Sequence, residues 1–223
     1  MISALIPAAG LGLRLGLGPK LFLEAGGRPL IRRLLAQLQG QVDQIVIAVP
    51  PAHLAEATSL LKGVEDGELP LDIIAGGQTR QKSVEQLVAA ARHPWVLLHD
   101  AARPLVSARL IEQVIAAGRN RGAAAAILPC DVPLARLAAG HISEHLPAAA
   151  FGLFQSPQFF PRNLLQHVLA EASAAGLQRQ STLQLWLDAG HPVQAVAGEK
   201  TNFKLTDPAD WQLLTALLPL LDP

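Results

Sequence analysis

The residues Pro7-Ala8-Ala9-Gly10-Leu11-Gly12-Leu13-Arg14, with Pro19-Lys20 close behind, combine a backbone cradle for phosphate with two fixed cations. Gly10 and Gly12 carry no Cβ, so the main chain there can approach a ligand closely. Ala8 and Ala9 leave room for something flat. Arg14 offers a planar fork that matches phosphate oxygens, and Lys20 a compact, mobile charge. Together they point to a nucleotide held for chemistry at phosphorus. Two familiar glycine patterns are excluded. The dinucleotide fingerprint needs a third glycine where this chain has Leu15, and the P-loop needs Gly-Lys-Ser/Thr where it reads Gly18-Pro19-Lys20-Leu21.

Three later segments carry further candidates. Gly76-Gly77-Gln78-Thr79-Arg80-Gln81-Lys82-Ser83 could fold around a ligand edge and read a base through free N–H groups and the Ser83 hydroxyl; an ordinary loop with Ser83 as helix cap is the alternative. His99-Asp100-Ala101-Ala102-Arg103-Pro104 puts a carboxylate where Mg²⁺ could be held jointly with substrate phosphates. Small Ala101 and Ala102 would let a ribose lie close. Arg103 could instead brace the loop by pairing with Asp100 or Asp131, and His99 reads as a buried structural histidine rather than a base. Thr201-Asn202-Phe203-Lys204-Leu205-Thr206 offers Lys204 to the same phosphates.

Elements must bring these segments together. Apolar runs at Ala4–Pro7, Gln44–Val49, Leu71–Ala75, Trp95–His99, Ala123–Leu128 and Val193–Ala197 read as strands. Helical patterns fill Leu30–Leu38 (with Leu30, Leu34, Leu35 and Leu38 on one face), Ala52–Leu61, Ser83–Ala91, Ala108–Arg121, Pro161–Ala175 and Pro208–Leu218, the last capped by Asp207. This alternation predicts an α/β fold, a mostly parallel sheet with helices on both faces. Ligands of such sheets sit at the carboxyl ends of strands, where Pro7–Arg14, Gly76–Ser83 and Asp100–Arg103 all fall. The rhythm breaks over about 130–151, between Cys130 and Phe151, which reads as an arm leaving the sheet. The 223 residues suit one domain with that extension.

Composition excludes other classes. Half the residues are apolar, enough for a sizeable core, and a formal net charge of zero argues against a nucleic-acid polymer as partner. Cys130 is the one cysteine, so no intrachain disulfide forms and a reducing, cytoplasmic setting is expected. The opening residues carry no charged leader and break at Pro7, so they do not read as a signal peptide. No apolar run reaches membrane-spanning length, so no membrane association is expected.

In order and spacing the segments resemble the 2-C-methyl-D-erythritol 4-phosphate cytidylyltransferases. That family reads P-A-A-G-x-G-x-R, P-K, G-G-x-x-R-x-x-S-V, H-D-A-A-R-P, T-P-Q-x-F and N-x-K-x-T-x-P-x-D. This chain supplies Pro7 to Arg14, Pro19-Lys20, Gly76 to Val84, His99 to Pro104, Ser156 to Phe160 and Asn202 to Asp210, nearly its full length. The resemblance implies a Rossmann-like nucleotidyltransferase with a protruding β-arm, working as a homodimer through that arm. It implies CTP and a polyol phosphate as ligands, Mg²⁺ as cofactor, and a step of non-mevalonate isoprenoid biosynthesis. By the same resemblance Pro7, Ala8, Ala9, Gly10 and Gly12 hug ribose and phosphates, and Gly77, Gln78 and Ser83 face cytosine. Asp100 and Ala101 serve metal and ribose, Arg103 and Ser156 bind substrate, and Arg14, Lys20 and Lys204 stabilise charge at the reacting phosphorus.

Three places depart from the pattern. The family's arm threonine falls on Pro133, its arm D-R pair on Pro147-Ala148, and its T-D-E-A-S run on Gln180-Ser181-Thr182-Leu183-Gln184. Arg136 and Arg162 are the candidates for replacing the missing arginine. The altered arm leaves two alternatives: transfer to another polyol phosphate such as ribitol 5-phosphate, or a nucleotide-binding paralogue without turnover.

Overall fold

The computed structural model describes residues 1–62 and 69–221. In chain order the elements are β1 (Ile2–Pro7), the two-residue strands β2 (Glu24–Ala25) and β3 (Arg28–Pro29), α1 (Leu30–Leu38), β4 (Gln44–Val49), α2 (Leu54–Leu61), β5 (Leu71–Ala75), α3 (Arg80–Ala90) and β6 (Trp95–Leu98). Then follow α4 (Ala108–Arg121), β7 (Ala124–Pro129), β8 (Leu134–Ala138), β9 (His141–Leu146), β10 (Gly152–Pro161), α5 (Arg162–Ala174), α6 (Thr182–Asp188), β11 (Gln194–Ala197) and α7 (Pro208–Leu221).

Seven strands form one sheet in the order β11-β7-β10-β6-β1-β4-β5. β1 pairs in parallel with both β4 and β6, β4 with β5, and β7 with β11; β10 alone runs the other way, between β6 and β7. From β1 the chain builds outward to β4 and β5, then returns to lay β6 on β1's other side. That reversal opens a crevice beyond the carboxyl ends of β1 and β6, where open α/β sheets bind their ligands.

Period-two alternation explains why the sheet is covered on both faces. Ile2, Ala4 and Ile6 of β1 point into one cluster with Leu34 and Leu38 of α1 and Leu110 and Val114 of α4. Leu5 of β1, Val46 and Ala48 of β4, and Leu98 of β6 point into the other, with Leu87 of α3, Leu165 of α5 and Trp186 of α6. A smaller third cluster ties α7, through Leu214 and Leu218, to Leu15, Leu23, Leu105 and Leu205. Leu15, the residue that breaks the dinucleotide fingerprint, is therefore the apolar foot by which the first loop is held down.

Two expectations change. The helix expected from Ser83 begins at Arg80, because Thr79 is the cap: its hydroxyl accepts from the Lys82 N–H at 3.1 Å. Ser83 lies one turn inside. β10, the antiparallel strand in the middle of the sheet, was not expected at all; its pairing shifts register between Phe154 and Gln158, around Gln155, Ser156 and Pro157. The arm expected over about 130–151 consists of the antiparallel pair β8–β9. It leaves after Pro129 and returns at Gly152, which face one another across β7 and β10, so it projects from the carboxyl-end rim.

Candidate active site

Each of the first three expected loops follows the carboxyl end of a strand: those after β1 and β6 flank the switch point, and the Gly76 loop leaves edge strand β5. After β1 the Ala8 N–H bonds the Ala48 carbonyl of β4 at 2.8 Å, which pins the start of the loop to the sheet. Gly12 has φ of +68°, and a Cβ there would lie 2.0 Å from the Gly18 carbonyl oxygen, so the loop admits only glycine. A Cβ at Gly10 would meet nothing within 4 Å, so that stretch of backbone faces open space. At Gly76 a Cβ would stand 2.4 Å from the Ala9 Cβ. The first loop and the Gly76 loop are thus in direct contact, which puts the expected phosphate and base sites side by side. Gly77 N–H donates to Ser83 Oγ at 3.1 Å and Ser83 donates to the Thr79 carbonyl at 3.0 Å, so the serine hydroxyl shapes the loop from within while Gln78 stays exposed.

Asp100 sits at the end of β6 with a cation on each oxygen. Arg80 donates to Oδ1 at 2.8 Å and Lys204 to Oδ2 at 2.9 Å. Burial pushes this carboxyl's pKa up, but Arg80 and Lys204 together outweigh it and hold it well below the usual carboxylate range. Lys20 donates to the Leu205 carbonyl. Burial, and then the nearby charges of Lys204 and Arg14, lower the Lys20 pKa; Asp100 and Asp210 pull it the other way. Lys20, Lys204 and Arg14 therefore share one electrostatic neighbourhood, a concentration of positive charge at the sheet mouth. Arg14 is exposed.

Behind Asp100 runs a polar strut. Its backbone N–H donates to Ser156 Oγ at 3.1 Å, and Ser156 lies 3.1 Å from His99 Nδ1. His99 Nε2 lies 3.0 Å from the Arg103 carbonyl, which can only accept, so the ring carries its proton on Nε2 and accepts the Ser156 hydroxyl on Nδ1. Burial drives the His99 pKa down to about 4, so the ring is neutral near neutrality and is a structural group, as expected. Arg103 does brace the loop, but not through Asp100 or Asp131. Its terminal nitrogens donate to the carbonyls of Asn202, at 2.6 Å, and Phe154, at 3.1 Å, while Asp131 pairs with Lys200. Ser156 lines the cavity beside Asp100, with its hydroxyl already committed to the strut. Ala101 packs into the core below.

Arg80 is the site residue that sequence reasoning missed. It falls on the arginine of the family's G-G-x-x-R-x-x-S-V pattern but was given no role; its partners, Asp100 and Thr182, lie on other elements. Arg162 is removed from consideration, because it bonds the Ala91 carbonyl at the opposite, amino end of β6. Arg136 lies on the arm, paired with Glu144 at 2.7 Å.

A glycine cradle and a cation-flanked carboxylate at the switch point of a Rossmann-like sheet define the class as a nucleotidyltransferase. Residues 2–219 match the family described as 2-C-methyl-D-erythritol 4-phosphate cytidylyltransferase. A relative of that name from Thermus thermophilus is 42% identical over 216 residues, covering 97% of this chain and 96% of its own. Another from Deinococcus radiodurans is 39% identical, covering 99% and 90%. The crystal structure of a Thermus thermophilus enzyme of that name superposes with a TM-score of 0.81 at 38% identity, covering 97% of this chain and 98% of that one. The 4-diphosphocytidyl-2C-methyl-D-erythritol synthase from Anaerococcus prevotii shares the fold, with a TM-score of 0.86 at 24% identity. The chain belongs to the 2-C-methyl-D-erythritol 4-phosphate cytidylyltransferase family.

Proposed function

We propose that this chain transfers the cytidylyl group of CTP to 2-C-methyl-D-erythritol 4-phosphate and releases pyrophosphate, a step of non-mevalonate isoprenoid biosynthesis. The observation that carries the reading, beside family membership, is the convergence of Lys20, Lys204 and Arg14 on one region next to Asp100. Reaction between two phosphate anions needs alignment and charge neutralisation above all. The acceptor phosphate has a second pKa of about 6 and is already mostly dianionic near neutral pH, so no general base is required. Its oxygen attacks the α-phosphorus of CTP, the bond to the β-phosphate oxygen breaks, and pyrophosphate leaves with the electron pair. Pro7, Ala8, Ala9, Gly10 and Gly12 hold ribose and phosphates, Gly77 and Gln78 lie against the base with Ser83 fixing their loop, and Ala101 makes room for the ribose.

Mg²⁺ is proposed as cofactor. Among the described residues no group of three or more His, Cys, Asp or Glu could cage a metal alone. Magnesium rarely needs one, since it takes one or two carboxylates and completes its shell from phosphates and water. Asp100 is a single carboxylate at the mouth of the crevice; its Oδ2, held by Lys204 here, would serve the ion once Lys204 takes the reacting phosphate, and the ion when bound would neutralise phosphate charge.

A homodimer through the arm is proposed, since Leu137 and Ile142 there are 72% and 77% exposed. No helix among the described residues is long and apolar enough to cross a membrane. A cytoplasmic setting is proposed with the same reading. Pro133 and Pro147-Ala148, where the family pattern has hydroxyl and guanidinium, favour testing a second acceptor such as ribitol 5-phosphate alongside the first. The experiment is pyrophosphate release over the four nucleoside triphosphates and several polyol phosphates, with and without a chelator. The reading expects turnover with CTP and 2-C-methyl-D-erythritol 4-phosphate, abolished by chelation. Absence of release from every pair would leave only the non-catalytic paralogue.

A further inference from the structure

A cavity of about 180 Å³ beside Asp100 holds more positive charge than the nucleotide requires. Arg80, Arg103 and Lys204 line it against the one carboxylate. Arg103 is spent on two main-chain carbonyls. Lys204 is assigned to the reacting phosphorus. Arg80 is left.

Its surroundings are unusual for a buried-pair arginine. One terminal nitrogen donates to Asp100 at 2.8 Å and the other to Thr182 Oγ1 at 3.1 Å, and the side chain is 28% exposed to the cavity. Thr182 is neutral and 2% exposed. The hydroxyl therefore orients the guanidinium without neutralising it. The family pattern has acids in this run, where the present chain has Ser181 and Thr182. An acid would grip the fork from its second side. With threonine there, the remaining N–H groups are available to an incoming anion, and a planar fork suits phosphate.

The remaining walls carry amides and a hydroxyl. Gln155 is spent on Glu199, but Gln158, Gln180, Gln184 and Ser181 also line the cavity and carry amides and a hydroxyl without charge, the complement of a chain of hydroxyl groups. The Gln158 side-chain oxygen is buried with no hydrogen-bond partner among the described residues, an unmet acceptor in that wall. An anion-binding corner with hydroxyl-matching walls suits a polyol phosphate better than a base or a triphosphate.

We propose that Arg80, anchored on neutral Thr182, holds the phosphate of the polyol acceptor within its own subunit, and that the glutamine-lined cavity takes the hydroxyl chain. Arg80 then supplies what the arm, with Pro133 and Pro147-Ala148, does not. This rests on the acceptor being a polyol phosphate, as proposed above.

Two variants test it, Thr182→Glu and Arg80→Gln. Thr182→Glu is the decisive one, because it keeps the guanidinium and its bond to Asp100 but adds a competing carboxylate. For both, the KM for 2-C-methyl-D-erythritol 4-phosphate should rise at least about tenfold while that for CTP stays within about twofold. An acceptor KM unchanged in Thr182→Glu overturns the proposal. So does a rise of both KM values in step, the mark of a mere brace on Asp100. Should Arg80→Gln fold poorly, as its melting temperature would reveal, Thr182→Glu decides alone. If the wild type releases no pyrophosphate, the proposed function fails; titration of wild type and Thr182→Glu with the same polyol phosphate still decides the role of Arg80, weaker binding by the variant supporting it and equal binding overturning it.

Discussion

Lys20 illustrates how a single side chain becomes useful here. Burial and two neighbouring cations make its charge costly, and that cost is relieved when a polyphosphate arrives. Lys20→Ala and Arg14→Ala should each lower turnover about a hundredfold or more, by analogy with lost transition-state donors; steady-state pyrophosphate release measures this. Gly76→Ala would set a methyl group 2.4 Å from the Ala9 Cβ. The forced shift should cost about 1–3 kcal/mol and raise the KM for CTP, readable by urea unfolding and kinetics. His99 adds a pH dependence. The folded ring titrates at about 4 and the unfolded one near 6.5, so between these values the unfolded chain binds the extra proton. Stability should therefore fall as pH drops from about 6.5 toward 4, by at most about 1.4 kcal/mol per pH unit. Asp100, depressed below the ordinary carboxylate range, loses its contribution only at lower pH still. Unfolding midpoints at a series of pH values would show the slope, and His99→Gln should flatten it. Of the site, the glycines and cations were legible in sequence because their chemistry is local. Arg80 stood in the family pattern, but its role was not legible, because its bond to Thr182 spans 102 positions.

At the scale of elements, legibility followed apolar periodicity. Leu30–Leu38, Gln44–Val49, Leu71–Ala75 and Ala108–Arg121 were each expected with the bounds observed; the first, second and fourth show a clean buried face or run, and Leu71–Ala75, half-buried at the sheet edge, shows a short apolar run closed by Gly76-Gly77. β10 escaped notice because buried Gln155, Ser156 and Gln158, with Pro157 among them, interrupt its apolar run. Its polar residues are buried for a reason: Gln155 exchanges bonds with both main-chain groups of Glu199, and Asn202 donates to the Ser156 carbonyl at 2.7 Å. They stitch the irregular stretch of β10 to the segment that carries Lys204. α7 serves a similar end from outside, resting on Leu15 and Leu205 through Leu214, which is fully buried. Leu214→Ala should cost about 2–5 kcal/mol and depress turnover as well, because the segments bearing Lys20 and Lys204 lose their shared support. Thermal melts and kinetics on the same preparation would show whether both effects occur.

For the molecule as a whole, the parallel sheet was legible from the alternation of strands and helices, and the arm from the loss of that alternation. What the arm packs against was not legible, since an exposed hairpin has no pattern that names its partner. The proposed dimer makes a clear forecast. Ile142→Asp puts a charge on the arm's most exposed large apolar residue, and sedimentation should then show a monomer. If the arm completes the neighbouring site, activity should disappear with the dimer.

The bond from Lys20 to the Leu205 carbonyl joins positions 185 residues apart. During synthesis the glycine-rich cradle leaves the ribosome well before the segment that steadies its lysine. A polypeptide that has not yet reached Leu205 can therefore assemble much of its sheet and still be unable to process CTP, so catalytic competence should switch on only once α7 settles.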